Sequence, residues 1–340
     1  MTGPGMTGPG ITVAGITVAE LGEFGLIAAI RDLLPPAPAS LQLGPGDDAA
    51  VISAPDGRVV ATTDLLVEGL HFRRDWSAAA DVGVKAAAQN LADVAAMGAA
   101  PTALLVGLAA PGDLPADWAL DLIRGVAAEC ARAGASIAGG DITGGPVLML
   151  GITALGDLGG RPPVTRSGAR PGDMLAVAGH LGWSAAGLAL LEAGKLAAGK
   201  QGEQDQPGPL AWLTAAHRRP QPPYRAGPQA ALLGATSMID ISDGLVQDLG
   251  HIAAASAVSI DIDTARLPEP GPLRAAAAVL GADWRDWALA GGEDHALAAT
   301  FPPQTALPAG WLLLGSVRSG SGVLVDGTPR RAPGGWNHFG

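Results

Sequence analysis

The 340-residue chain has one cysteine, Cys130. With a single thiol, a disulfide framework, a cysteine-based zinc site and a redox pair are excluded within the chain. Cationic residues are also scarce: Lys+Arg 21 against Asp+Glu 32 gives a net charge of -11, which argues against nucleic acid or an anionic membrane surface as a partner. Long apolar runs are missing too. The longest, such as Thr102 to Ala110, are interrupted by Gly or Pro well short of bilayer thickness, and no cationic stretch precedes a hydrophobic one at the start. A soluble, cytoplasmic protein is expected. There is no G-x-x-x-x-G-K-[ST], no H-E-x-x-H and no serine elbow, and the six histidines are scattered. Gly44-x-Gly46-x-x-Ala49 matches a dinucleotide fingerprint only superficially, because strand character follows it rather than a helix.

What the chain does have is acid at turns. Residues 44–72, GPGDDAAVISAPDGRVVATTDLLVEGLHF, place Asp47, Asp48, Thr62, Thr63 and Asp64 at strand ends and tight turns. Carboxylates crowded there repel one another and raise each other's pKa unless positive charge intervenes. Magnesium answers that need, since it takes oxygen ligands and is held by one or two carboxylates plus substrate phosphates. Either dipeptide alone reads as turn chemistry; together they favour a site.

Residues 1–20 hold two tandem duplications, MTGPGMTGPG and ITVAGITVAE, and read as a disordered leader. Helical spacing of Phe24, Ile27, Ile30, Leu33 and Leu34 predicts a short helix from Glu23, stopped by Pro35-Pro36. The turn Pro55-Asp56-Gly57 predicts a hairpin of strands at 49–53 and 58–63. Ser77 is expected to cap a helix running to Met97, with Lys85, Gln89, Asn90 and Asp93 as a polar stripe that is either a solvated face or a site. Strand, helix and strand segments at 102–109, 115–133, 136–138 and 147–155 then indicate an α/β or α+β layer domain of residues 21–160. A second domain, 161–340, restarts with TRSGARPGD and a strand at 175–178. It continues through helices at 184–193, 209–217 and 226–233, an exposed loop at 198–209 and the strand MIDI, where Ser242 and Asp243 could cap the next helix. GGED then precedes a strand at 295–300.

Acids recurring at loops beside glycines suit phosphoryl transfer, whose catalysis is mostly positioning and charge neutralisation. A phosphate acceptor needs no strong base, because its second ionisation lies near pH 6. At this point LGEFGLI, GDDAAV, TTDLLVEGLHF, NLADVAAMGA, GGDITGGP, TRSGARPGD, MIDISDGL, GGEDHAL and GWNHF, in that order, resemble the thiamine-monophosphate kinases of the aminoimidazole-ribonucleotide-synthetase-like superfamily. The resemblance implies a two-domain fold, α/β and α+β, whose N-terminal sheet pairs across a homodimer as a barrel, followed by a C-terminal α+β domain. It implies ATP and thiamine monophosphate as substrates, with in-line transfer on several Mg²⁺. By position, Asp48, Thr62, Thr63, Asp64, Asp93, Asp141, Asp240 and Asp243 resemble the metal ligands. Gly140, Arg166 and Ser242 resemble the ATP contacts, and His71, Glu293 and Trp336 the thiamine monophosphate contacts. Two departures stand out: His295 replaces a usual Tyr, and Gly144-Gly145 occupies a place where an Arg often stands.

Within the superfamily, the selenophosphate and hydrogenase-maturation branches use a reactive terminal Cys or selenocysteine, whereas Cys130 is in mid-helix. Aminoimidazole ribonucleotide synthetase is the nearer rival, and a catalytically silent Mg-nucleotide regulator is a third reading. GWNHF and TTDLLVEGLHF favour the kinase over the synthetase, and the full acid set argues against the silent regulator.

Overall fold

The structure, a computed structural model, describes residues 15–46, 49–195, 208–330 and 335. Asp48 and Trp336, with Asp47 and most of the expected leader and the 198–209 loop, lie outside the described residues.

The first unit opens with α1 (Val18–Leu21) and α2 (Glu23–Leu33). The expectation of a leader to residue 20 is corrected here. Thr17 and Glu20 form a reciprocal capping box, and the amides of Val18 and Ala19 donate to the carbonyls of Leu114 and Gly112. Next come β1 (Leu41–Leu43), β2 (Val51–Ile52), β3 (Val60–Val67), α3 (Ala79–Ala96), β4 (Ala100–Ala110), α4 (Ala116–Ala133), β5 (Ser136–Gly144) and β6 (Met149–Asp157). The predicted 49–63 hairpin does not form. The turn is present, with Gly57 N–H on Ala54 O at 3.0 Å, but β2 pairs with β1 and β3 pairs antiparallel with β6. A local turn signal fixes chain reversal, not the partner that each strand finds. Ser77 also does not cap α3. Ala78 occupies the cap position, and its amide donates to Asp81.

The main sheet of this unit runs β3-β6-β4-β5. One face is covered by α3 and α4, with Ile152, Leu104, Leu150 and Ala154 fully buried beneath them. The two helices cross at reciprocal glycines. A Cβ at Gly83 would stand 2.0 Å from Leu122 O, and one at Gly125 would stand 2.1 Å from Ala80 O. Only bare backbone permits that approach.

The second unit contains β7 (Met174–Ala178), α5 (Trp183–Glu192), α6 (Pro209–Arg218), α7 (Ala226–Leu232), β8 (Ser237–Ile241), α8 (Leu245–Ser256), β9 (Ser259–Ile262), α9 (Gly271–Leu280), α10 (Trp284–Ala290), β10 (Ala296–Phe301), β11 (Trp311–Arg318), β12 (Gly322–Val325) and β13 (Thr328–Pro329). Its sheet runs β13-β12-β9-β11-β7-β10-β8 and is antiparallel except between β9 and β12. One face packs under α5, α8, α9 and α10. The other contributes Ala176, Met238, Leu297 and Phe301 to the same apolar cluster as the first unit. The two sheets therefore share a continuous core, and α3 packs against both β3 and β8.

Candidate active site

Alternation along β3 turns Thr62 and Asp64 toward α3. Thr62 Oγ1 donates to Asp93 Oδ2 at 2.7 Å, and the Asp64 amide donates to Asn90 Oδ1 at 3.0 Å. Lys85 and Asn90 are almost fully buried, so the polar stripe of α3 is not a solvated face. From the second unit, Asp240 at the end of β8 is buried and bonds His295 Nδ1 at 3.1 Å.

These acids act on one another. Burial, followed by the charges of Asp240 and Asp64, raises the Asp93 carboxyl to about 7. Burial also raises Asp64; the charge of Asp240 adds to this and that of His295 opposes it. Burial alone would lower the His295 imidazole, yet its hydrogen bond to Asp240 and the surrounding carboxylates hold it above its ordinary value.

The turn leading into β10 approaches from the other side. Its backbone is strained: Glu293 and His295 hold φ at 64° and 52°, a left-handed region that non-glycine residues seldom occupy. Contact with the β8–α8 turn keeps it there. The Glu293 amide donates to Ser242 O at 2.7 Å, and a Cβ at Gly292 would stand 2.3 Å from that same oxygen. Glu293 is thereby aimed at Lys85 Nζ, 3.1 Å away, and at His217 Nδ1, 3.3 Å away. Burial would raise its carboxyl, but Lys85 and His217 hold it well below the carboxylate range. Lys85 also donates to the His71 carbonyl at 3.0 Å, while His71 Nδ1 accepts the Val67 amide. Lys85 and His217 have no motif of their own in the sequence, and only the position of Lys85 on the α3 stripe hinted at its role.

The other candidates fall at several places. Asp243 accepts Gln247 Nε2 at 3.2 Å. Neither Ser242 nor Asp243 caps α8; instead Asp248, four residues into the segment, accepts the amides of Asp243 and Gly244. Arg166 is exposed in the loop before β7, with its guanidinium unpaired among the described residues. Gly140 lies on β5 opposite Val106. The chain does not bring Thr63 and Asp141 to the acid group. Thr63 is exposed and bonds Ile152 O and Thr153 Oγ1, and Asp141 is exposed on the outer strand β5, three strands from β3.

Asp64, Asp93 and Asp240 offer oxygen donors that mutual repulsion disfavours unless cations or protons intervene, which is the chemistry a hard divalent cation satisfies. Among the described residues no group of three or more His, Cys, Asp or Glu side chains is already drawn together closely enough to hold a metal ion.

A two-unit α/β and α+β fold with an acid-lined junction defines the class, and residues 46–158 match the family model of the AIR synthase related protein, N-terminal domain. The thiamine-monophosphate kinase of Mycobacterium tuberculosis is 49% identical over 324 residues, which cover 94% of this chain and 92% of that one. The chain belongs to the thiamine-monophosphate kinase family. Its fold matches the crystal structure of thiamine-monophosphate kinase from Stenotrophomonas maltophilia K279a with a TM-score of 0.78 at 33% identity, covering 94% of this chain and 98% of that one. It also matches the structure described as AaThiL complexed with AMPPCP and TMP, with a TM-score of 0.76 at 34% identity, covering 96% and 100%.

Proposed function

We propose that this protein transfers the γ-phosphate of ATP to thiamine monophosphate, forming thiamine diphosphate and ADP. The observation that carries the reading is the convergence of Asp64 and Asp93 from the first unit with Asp240 from the second, in a chain of this family. When bound, Mg²⁺ would neutralise and orient the phosphates. Asp64, Asp93 and Asp240, with Thr62, Asp243 and Asp48, are the residues of this chain that would hold it, and Thr63 and Asp141 are retained as further candidate ligands by family position. Gly140, Arg166 and Ser242 are assigned to the nucleotide, and His71, Glu293 and Trp336 to the acceptor. Lys85 fixes Glu293 in place, so the acceptor meets a preset carboxylate and no ordering step is needed on binding. No covalent nucleophile is required, because the acceptor phosphate is itself largely dianionic at neutral pH.

We also assign a homodimer. The face of the first sheet opposite α3 and α4 leaves Leu65 at 56% exposure, and Leu43 and Val51 of the small β1-β2 sheet are also open; apolar surface of that kind marks an interface. Among the described residues no helix is long and apolar enough to cross a membrane, and a cytoplasmic location is in keeping with ATP as substrate.

Thiamine diphosphate formation from ATP, Mg²⁺ and thiamine monophosphate tests the activity directly, and absence of product with active-site variants and wild type alike would reject it. For the cation, Mg²⁺ together with a non-hydrolysable ATP analogue should raise the melting temperature more than the two separate shifts summed. A saturating ligand at a hundredfold excess over Kd contributes about 2.7 kcal/mol; merely additive shifts would reject a shared site.

A further inference from the structure

The loop that carries Arg166 is gathered onto a single atom. Ser256, the last residue of α8, accepts the amides of Gly168 at 3.1 Å and Ala169 at 3.2 Å, and its hydroxyl donates to the Arg166 carbonyl at 3.1 Å. A serine hydroxyl has one donor and two acceptor lone pairs. The whole hydrogen-bonding capacity of this side chain is therefore directed to a loop 87 to 90 residues away in the sequence, where a serine in a helix more often bonds back to a carbonyl of its own preceding turn. Ser256 stands outside every motif that carries the family resemblance.

The other anchors of the loop lie on either side of Arg166. The Met238 amide of β8 donates to the Thr165 carbonyl at 3.1 Å, and Thr165 Oγ1 donates to the Ser167 carbonyl at 2.8 Å. Gly168 holds φ at 128°, and a Cβ there would stand 2.3 Å from Thr236 O, so the loop lies against the entry to β8 as bare backbone. The Arg170 amide then donates to Asp173 Oδ2 at 2.9 Å. Between these anchors the backbone of Arg166 is fixed and its side chain is open: the residue is exposed, and its guanidinium has no hydrogen bond or ion pair among the described residues. A long cation with a fixed root and a free, fork-shaped head is arranged to meet an anion such as a phosphate.

Stability is a weak reason for this arrangement. Arg166, Ser167 and Gly168 are all exposed, so water could replace the three hydrogen bonds of Ser256 at little cost. What the hydroxyl adds is placement. α8 also begins at the turn of Ser242 and Asp243, whose backbone is held by Asp248. Its 12 residues form a rigid spacer of about 18 Å between that turn and the Arg166 loop.

We infer that Ser256 is a positioning residue for the nucleotide: by fixing the backbone of residues 166–169 it sets where the Arg166 guanidinium meets the phosphates of ATP. The inference rests on the assignment of Arg166 to the nucleotide above. α8 then keeps that cation at a constant distance from the Asp243 turn.

The test uses the full chain and calorimetric titration with a non-hydrolysable ATP analogue in the presence of Mg²⁺, with thiamine monophosphate titrated separately. Ser256→Ala leaves a good helix former at the end of α8 and removes only the hydroxyl. It should raise the Kd for the analogue about fivefold, as the loss of one ordinary hydrogen bond would, and leave the Kd for thiamine monophosphate unmoved. Arg166→Ala should raise the Kd for the analogue about thirtyfold, in the range of a charge-assisted contact. In the Arg166→Ala background, Ser256→Ala should add less than about twofold, because a residue that acts only through another has no effect once that other is gone. Analogue binding at the wild-type Kd by Ser256→Ala, its full effect persisting without Arg166, or equal weakening of both ligands would each overturn the inference. Arg166→Ala as tight as wild type would overturn the assignment of Arg166 and the inference with it. If wild type binds the analogue yet forms no thiamine diphosphate, the functional reading fails by itself, and the double-variant cycle still decides the role of Ser256. A wild type that does not bind the analogue overturns both.

Discussion

Lys85 and Glu293 meet at 3.1 Å across the junction of the two units, with the lysine almost wholly enclosed. One comes from the middle of α3 and the other from a left-handed turn before β10, so the pair joins the two halves of the site. The lysine is enclosed while Glu293 keeps about 34% of its side chain open, so removing Lys85 leaves a carboxylate that is only partly desolvated.

Lys85→Met should therefore destabilise the protein by about 1–2 kcal/mol and raise the KM for thiamine monophosphate through the loss of Glu293 positioning. Urea denaturation and steady-state kinetics check both effects. A double variant, Lys85→Met with Glu293→Gln, should recover part of the stability but not the KM, and a variant as stable as wild type would show that the pair is not desolvated as described.

Asp64→Asn should abolish turnover without unfolding the chain. Asp64 is raised by burial and by the charge of Asp240, so the amide relieves repulsion in the metal-free protein, and the melting temperature without Mg²⁺ should stay level or rise. Wild-type kcat at saturating Mg²⁺ would remove Asp64 from the site.

The stability of the metal-free protein should fall as pH rises from about 4 to about 7. Burial lifts Asp93, Asp248 and Asp294 to about 7 from an ordinary 3.8. In that window the folded chain keeps protons that the unfolded chain has released, and linkage then makes unfolding easier with each step up in pH. His217, kept neutral by burial, works in the opposite direction below its ordinary 6.5, and Glu293 does so only in strong acid. Asp248→Asn retains an acceptor for the amides of Asp243 and Gly244 while removing one titration, so it should flatten the slope measured by denaturation at several pH values. A slope unchanged in that variant would show that Asp248 does not carry the shift.

Leu65→Lys should yield a monomer. A lysine on the half-open apolar face of the first sheet would be desolvated in any interface there, and light scattering at micromolar concentration separates the two states. A variant as dimeric as wild type would place the interface elsewhere.

Much of the frame was legible in the chain itself. Apolar spacing marked α2, and the acids of TTD, MIDISD and GGED were recognisable as an ordered set even though each was weak alone. The segments after Ala257 were not read: β9, α9, α10, β11, β12 and β13 are short and lack strong periodicity. The strands among them are fixed by pairing, β11 with β7 and β9, and β12 with β9 and β13, a contribution that local propensity does not contain.

Composition excluded disulfide, zinc-thiolate and P-loop chemistry, and the acids at turns pointed to phosphate chemistry. Tertiary structure alone decided which acids face one another, because β3 joins β6 and not the strand before it, and because α3 lies against β8 at a shared core. It alone turned Lys85 and His217 onto Glu293. The physical reason is that a charge or a hydrogen-bonding atom takes its meaning from what surrounds it after burial, and those surroundings come from segments distant in the sequence, as Lys85 is from Glu293.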